Sequence, residues 1–175
     1  MVSKKSKDTT ETILKYNSET LKSLLSRRPD LNEFVELIKD LFKNEGCNNT
    51  TGFNKEECIN LDKVEKSTAQ KKKTSDISSS MDFTVGLDQN RFMLVEAKFR
   101  VKNVDNICSQ LKDKIKRSTF FMRDELSCCV HKDLVILLSQ SSKIEQQKSK
   151  LRRQMNNVIG IKPMSAMDFH RLYFE

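Results

Sequence analysis

Three charged side chains lie at the ends of two short apolar segments in the middle of the chain. Asp82 opens the segment DFTVGL, and Glu96 and Lys98 close the segment FMLVEAK. Each segment has the length and the β-branched and aromatic content of a strand, and the polar residues 88–91 between them predict a turn. We therefore expect a β-hairpin that carries two carboxylates and one amine near one of its ends.

The alternation of side chains along a strand indicates which of these residues can meet. In the second segment the apolar odd-numbered residues within 93–99 share one face, so Glu96 and Lys98 share the other. The apolar residues within 83–87 must join the same core face, which leaves Asp82 on the face of the other two charges. Asp82 then lies opposite either Glu96 or Lys98. That pairing requires a connecting loop with an odd number of residues, or a β-bulge.

Two carboxylates this close repel each other unless a cation lies between them. Mg²⁺ prefers oxygen ligands and is commonly bound by one or two carboxylates, with water and phosphate in its remaining positions. A lysine beside the ion can lower the pKa of an attacking water or stabilise the developing charge on phosphorus. Asp82 and Glu96 are thus candidate ligands of Mg²⁺ or Mn²⁺, and Lys98 is a candidate catalytic amine for phosphodiester hydrolysis. A salt bridge among the three at a strand end is the alternative interpretation.

The segments around the hairpin determine how these residues are held. Helical spacing predicts a helix over 9–25 and, after Pro29, a second one over about 31–44 that begins with a capping box of Asp30 and Glu33. Further elements are expected as helices at 104–122 and 143–157, strands at 134–138 and 158–161, and a final short helix capped by Ser165 and Asp168. This order predicts an α/β fold with a mixed central β-sheet flanked by helices.

The domain organisation follows from length and composition. Residues 1–29 are expected to form an N-terminal helical extension, and residues 30–175 a single domain. The segment 44–80 is polar and contains a lysine triplet and a serine run. We expect it to be a long loop, although its few apolar residues allow one short strand or helix.

Positive charge is concentrated in the second half of the chain. Residues 1–90 are neutral overall, whereas residues 91–175 carry 17 Lys and Arg against 9 Asp and Glu, which accounts for the whole net charge of +8. Such a surface fits nucleic acid as a partner, and a lysine-rich solvated surface explains the charge equally well. Lys112 and Lys116, on the helix after the hairpin, are the candidate contacts to a nucleic-acid backbone.

Other kinds of site are disfavoured by the sequence. Five cysteines without a repeated CxxC spacing argue against a disulfide framework and against a zinc ribbon. His131 and His170 have no Ser or Cys partner at a motif spacing, so no nucleophilic site is predicted. No apolar run approaches the roughly 20 residues of a membrane helix, and no secretory signal is evident. We expect a cytoplasmic protein without a membrane partner.

The layout of these elements resembles the PD-(D/E)XK nuclease superfamily, whose common core is a helix, a three-stranded meander, a second helix and a further strand. The resemblance spans about residues 30–140. LVEAKFR is similar to the E-x-K strand of the family, and SSMDFTVGL to its acid-led strand. The resemblance implies a restriction-endonuclease-like core in which Asp82 and Glu96 bind Mg²⁺ and Lys98 assists catalysis.

The same resemblance implies additional site residues. The first helix of the family often contributes a further acid, and Glu33 and Glu36 are both candidates for it. Members similar to RecB-type nucleases carry a glutamine on the helix after E-x-K, and Gln110 occupies a comparable position. The tyrosine expected four residues later is Lys114, and no proline precedes Asp82.

A metal-dependent nuclease, with DNA as the first expected substrate, is the function that these residues predict. The alternative is a catalytically inactive nuclease-fold protein that binds protein or nucleic acid in a regulatory or immunity-type role. The absence of a separate recognition region favours the alternative, whereas the presence of all three required residue types favours the enzyme. Both functions are compatible with a homodimer, and the inactive alternative is also compatible with a protein partner.

Overall fold

A computed structural model describes residues 12–47, 49–50, 52–101, 103–141 and 143–175, which form an α/β fold with one mixed six-stranded sheet flanked by helices. The strands are β1 (Val35–Leu37), β2 (Glu57–Asn60), β3 (Phe83–Leu87), β4 (Arg91–Lys98), β5 (Cys129–Leu138) and β6 (Ile161–Ser165). The helices are α1 (Ser18–Arg27), α2 (Ile38–Asn44), α3 (Leu61–Lys71), α4 (Asp105–Phe120), α5 (Ile144–Gln154) and α6 (Ala166–Tyr173). Short 3₁₀ segments cover Pro29–Phe34 and Asp88–Asn90, and a π-helical turn covers Phe121–Glu125.

The strands lie in the sheet in the same order as in the chain. β1 to β4 pair antiparallel in succession, and β5 and β6 then add in parallel on the far side of β4. The parallel pairings require crossover connections, which α4 and α5 provide. The mixed sheet expected from the sequence is confirmed.

The sheet separates two apolar layers. One layer packs residues of α1, α3, α4 and α5 against the sheet, and the other packs residues of α2 and α6. Phe92 and Leu94 of β4 face the first layer, whereas Met93 and Val95 face the second. Strand β5 alternates between the layers in the same way, so the strand predicted at 134–138 is confirmed, and it is buried on both faces.

The predicted hairpin is formed by β3 and β4. Leu87 pairs with Arg91, which leaves a loop of the three residues Asp88–Asn90, an odd number as the parity of the faces required. Gln89 and Asn90 adopt positive φ angles of 58° and 53° to close it. The loop also contacts the chain before α1, because Asp88 accepts hydrogen bonds from that segment.

The continuous helix predicted over 31–44 is wrong. The segment is divided into a 3₁₀ turn, strand β1 and the short helix α2. Strand β1 forms because it pairs with β2, and this pairing to a distant segment prevails over local helix propensity. The predicted capping box is absent as well, because Asp30 accepts two hydrogen bonds from Arg28, at 2.9 and 2.7 Å.

The polar segment 44–80 contains two regular elements, β2 and α3, where at most one was expected. Helix α3 begins where the Asn60 side chain accepts a hydrogen bond from the backbone N–H of Lys63 at 2.9 Å. Its apolar residues Leu61 and Val64 are buried. A short amphipathic segment forms a stable helix here because its apolar residues pack against the sheet.

The remaining predicted elements are present with shifted ends. The helix expected over 9–25 is α1, whose Leu21 and Leu24 are buried in the core, but it begins only at Ser18, after the capping residue Asn17; residues 9–11 lie outside the described residues. The strand expected over 158–161 is displaced, because β6 begins at Ile161; it includes Pro163, which an edge strand tolerates. The cap of α6 is confirmed, since the Ser165 hydroxyl accepts from the N–H of Asp168. In the described part of the chain, every helix is too short or too polar to cross a bilayer.

Candidate active site

Asp82 and Glu96 meet across the start of the hairpin. Continuing the β3–β4 register by one residue beyond the pair of Phe83 and Val95 places Asp82 opposite Glu96. The Asp82 Oδ2 atom accepts a hydrogen bond from the backbone N–H of Ala97 at 2.6 Å. Asp82 is 7% exposed and Glu96 is fully buried. The two carboxylates are therefore close neighbours in a site shielded from bulk water.

Lys98 lies beside both acids. Its Nζ atom is 2.5 Å from Glu96 Oε1 and 4.0 Å from Asp82 Oδ2. The Lys98 side chain keeps 21% of its surface exposed, more than either acid. The structure thus brings together the three residues that the sequence singled out, on the face of the sheet covered by α4.

Helix α4 adds a second amine that the sequence prediction missed. Lys114 Nζ donates to Glu96 Oε1 at 2.7 Å and to Asp82 Oδ1 at 3.3 Å. Lys114 continues the inward stripe formed by Ile107 and Leu111, because residues three and four apart share a helix face. The sequence did contain a signal for this residue, because Lys114 is a lysine at a position where the inward face of α4 is otherwise apolar.

Burial and charge oppose each other in this cluster. Burial, with repulsion from Asp82, raises the pKa of Glu96 to about 7, although both lysines oppose the rise. For Lys114, burial lowers the pKa, but attraction to Glu96 and Asp82 outweighs it and raises the pKa above its ordinary value. Near neutral pH the ammonium of Lys114 is therefore retained, while Glu96 is poised between its two protonation states.

Two further carboxylates are close enough to Asp82 for its charge to raise their pKa, and the sequence prediction missed both. Asp62, in the first turn of α3, accepts a hydrogen bond from the Ser80 hydroxyl at 3.0 Å, and burial and the Asp82 charge raise its pKa. Glu45, just after α2, has its pKa raised by burial and then by Asp82. These acids come from two separate helix ends, which only the tertiary fold brings together.

The two acids suggested by the resemblance lie elsewhere. The Glu33 side chain is 61% exposed, and its carboxylate is 3.9 Å from the ammonium of Lys71. Glu36 is on β1, where it forms an ion pair with Lys63 and accepts a hydrogen bond from Asn60. Asp62 and Glu45, in contrast, are acids whose pKa the charge of Asp82 raises.

The remaining candidates are on the outer surface of α4. Gln110 is exposed one turn before Lys114 and on the same side of the helix. Lys112 and Lys116 are exposed as well. The helix therefore directs one lysine into the site and presents two to solvent, where they are accessible to a polyanion.

A cavity of about 220 Å³ opens at the carboxyl ends of β4, β5 and β6. Its lining includes Cys47, Phe99 and Ala166, which belong to the apolar layer on the other face of the sheet from Glu96 and Lys98. Ligands of open α/β sheets commonly bind outside the carboxyl ends of parallel strands. The charged residues Asp82, Glu96, Lys98 and Lys114 do not line this cavity, so it is not part of the candidate site.

The carboxylates of the site can bind Mg²⁺ in a mode that uses few protein ligands. No group of three or more His, Cys, Asp and Glu side chains among the described residues has the arrangement of a metal site. Mg²⁺, however, needs only one or two carboxylates when water and phosphate complete its shell. Glu96 Oε2 is buried and has no hydrogen-bond partner, so one carboxylate oxygen is uncommitted. Asp82 and Glu96 together meet the minimal requirement.

Comparison with known proteins gave no matching family model, no matching curated protein and no matching solved structure. The fold established for the chain is α/β with a mixed open sheet. A restriction-endonuclease-like core and membership of the PD-(D/E)XK superfamily remain predictions from the residues of the hairpin. The geometry around Asp82 and Glu96 is thus the basis for assigning a function.

Proposed function

We propose that the chain is a metal-dependent nuclease of the PD-(D/E)XK type that hydrolyses phosphodiester bonds in nucleic acid, with DNA as the expected substrate. The observation that supports this most is the position of Asp82 opposite Glu96 with Lys98 in contact with both. Buried carboxylates at adjacent strand positions are unfavourable unless they have a function or a counter-ion. The uncommitted Oε2 atom of Glu96 adds to this argument.

Asp82 and Glu96 are the residues that would hold Mg²⁺ or Mn²⁺. When bound, such an ion supplies a more acidic water and stabilises the charge that develops on the phosphate. Lys98 has the partly exposed amine, so it donates hydrogen bonds to a phosphate oxygen or to the attacking water. The hydrogen bond from Ala97 to Asp82 fixes the orientation of one acid before substrate arrives.

The surroundings of the site suit a polyanionic substrate. Lys112 and Lys116 extend from the exposed side of α4, within two residues of Lys114. The second half of the chain, which contains α4, α5 and β6, carries all of the excess positive charge. Contacts of exposed lysines to phosphates give binding that weakens as salt rises.

The second candidate function is a catalytically inactive module that binds nucleic acid or protein. The observation in its favour is Lys114, whose ammonium lies between the two carboxylates and neutralises them without a metal. Under this alternative the cluster is a buried ion-pair network that stabilises the fold around the hairpin.

Cleavage assays separate the two candidates. The protein is incubated with supercoiled, linear and single-stranded DNA and with RNA, in Mg²⁺ or Mn²⁺. We expect cleavage by the wild type and none by Lys98→Ala, with unchanged circular dichroism. Lys22→Ala, an exposed lysine on α1, is the matched control and should cleave normally. If wild type and Lys98→Ala are equally inert on every substrate, the inactive module becomes the preferred function.

A further inference from the structure

Lys114 occupies the position between two buried acids that a bound cation would take. Its Nζ atom is within 3.3 Å of one oxygen of each carboxylate, whereas the Nζ atom of Lys98 is 2.5 Å from Glu96 and 4.0 Å from Asp82. The Lys114 side chain is 14% exposed, so its charge is largely shielded from water. Lys114 is thus the amine that bridges the pair.

The cluster nevertheless retains features of an unsaturated ligand set. Both amines contact the same oxygen of Glu96, Oε1, and the other oxygen is buried without a hydrogen-bond partner. At the same distance, a doubly charged ion attracts the two carboxylates more strongly than a singly charged ammonium does.

We propose that Lys114 is an internal counter-ion that competes with a divalent cation for Asp82 and Glu96, so that metal binding requires its ammonium to leave the site. This inference rests on the proposed function, because it concerns the same pair of acids. The four-carbon aliphatic chain of lysine is flexible, so the amine can move toward solvent while α4 stays in place. In this way the metal-free protein keeps its acids neutralised, and metal binding is coupled to the movement of one side chain.

The direct test is the affinity for Mn²⁺ alone, measured by isothermal titration calorimetry on Lys114→Met and on the wild type. Loss of a competing charge within hydrogen-bond distance should tighten Mn²⁺ binding by about tenfold or more. Lys112→Met, which removes an exposed lysine of the same helix, should bind Mn²⁺ as the wild type does. Lys114→Arg keeps the charge and should not show the gain. Equal or weaker binding by Lys114→Met overturns the proposal.

A second measurement uses the wild-type sequence, because Lys114→Met removes one of the two amines that neutralise the buried acids and therefore destabilises the fold. The wild type is reductively methylated with and without saturating Mg²⁺, and each lysine is quantified by mass spectrometry. Methylation of Lys114 should be slow without metal and several-fold faster with it, while Lys112 is labelled equally in both. If Mg²⁺ binds and the labelling of Lys114 does not rise, the proposal is wrong.

The outcomes also separate this inference from the proposed function. A wild type that cleaves nucleic acid, with a Lys114→Met variant that binds Mn²⁺ no better, overturns the competition and leaves the nuclease intact. A wild type that neither binds Mn²⁺ nor cleaves, with a Lys114→Met variant that binds Mn²⁺, supports the competition and excludes the nuclease. Absence of Mn²⁺ binding in both proteins, together with absence of cleavage, overturns both.

Discussion

The Asp82 side chain accepts a hydrogen bond from the backbone N–H of Ala97, with Oδ2 and N separated by 2.6 Å. Regular pairing of the two strands ends one residue away, at Phe83 and Val95. Beyond that pair, the Asp82 carboxylate, and not a backbone carbonyl, accepts the hydrogen bond from β4. Asp82 therefore has a structural role in the hairpin as well as its proposed role in the site.

Replacing Asp82 should destabilise the protein, and the loss should depend on whether the new side chain can still accept the hydrogen bond from Ala97. Asp82→Ala removes the partner of the Ala97 N–H and one partner of Lys114, and should lower the free energy of unfolding by about 2–4 kcal/mol. Asp82→Asn keeps a carbonyl oxygen and should lose less. Urea denaturation measures both, with the exposed Asp76→Ala expected to change stability by at most about 0.5 kcal/mol. Equal losses for the Ala and Asn variants would show that the Ala97 contact adds nothing.

The stability of the metal-free protein should depend on the ionisation of Glu96. Its pKa of about 7 in the folded chain is above the ordinary value of 4.5, because burial disfavours the carboxylate. Between these values the folded state binds the proton more tightly than the unfolded state does. Stability from this residue is thus complete below pH 4.5 and is lost as the pH rises through 7.

Glu96→Gln isolates that contribution. The difference in the free energy of unfolding between wild type and Glu96→Gln, measured in EDTA, should shift against the wild type by on the order of 2 kcal/mol between pH 4.5 and 7.5. Guanidinium denaturation at a series of pH values provides the measurement. A difference that stays constant over this range would contradict the raised pKa.

Gly86 should be intolerant of a side chain. A Cβ atom at this position would lie 2.9 Å from the carbonyl oxygen of Asn17 and 3.0 Å from the backbone nitrogen of Leu21. These are backbone atoms at the start of α1, so Gly86→Ala should displace the helix from β3 and lower stability by about 1–3 kcal/mol. Ser23→Ala, on the exposed side of α1, is the control. If Gly86→Ala leaves the temperature of thermal unfolding unchanged, α1 does not pack against β3 as described.

The cysteines should differ strongly in reactivity. Cys129 is exposed, whereas Cys58 is fully buried in β2, and burial raises the pKa of its thiol well above the ordinary value. At pH 8 an alkylating reagent should therefore modify Cys129 within minutes and Cys58 only after unfolding. Mass spectrometry identifies the modified residues, and in 6 M guanidinium all five cysteines should react. Modification of both residues at the same rate in the folded protein would contradict the burial of β2.

The hairpin and its charges could be predicted because they depend on local rules. The two-residue period of a strand fixes which side chains share a face, and the parity of the loop fixes whether Asp82 meets Glu96. The structure has both the odd loop and this pairing. The metal and the catalytic roles of these residues remain predictions.

The parts that escaped prediction depend on contacts between distant segments. Strand β1 exists through its pairing with β2, so the sequence around Val35 indicated a helix. Lys114 reaches the acids only through the docking of α4 on the sheet, a contact between distant segments that local spacing does not determine. Glu45 and Asp62 belong to different helix ends whose convergence depends on the whole fold.

The consecutive order of the six strands has a consequence for how the chain acquires its structure. Each strand docks beside the one synthesised just before it, and the shortest connection between neighbours is the three-residue loop of β3 and β4. Short loop closures are the fastest and entropically least demanding steps of folding. We therefore expect the acids of the site to meet early in folding, and the lysine of α4 to reach them only when that helix packs.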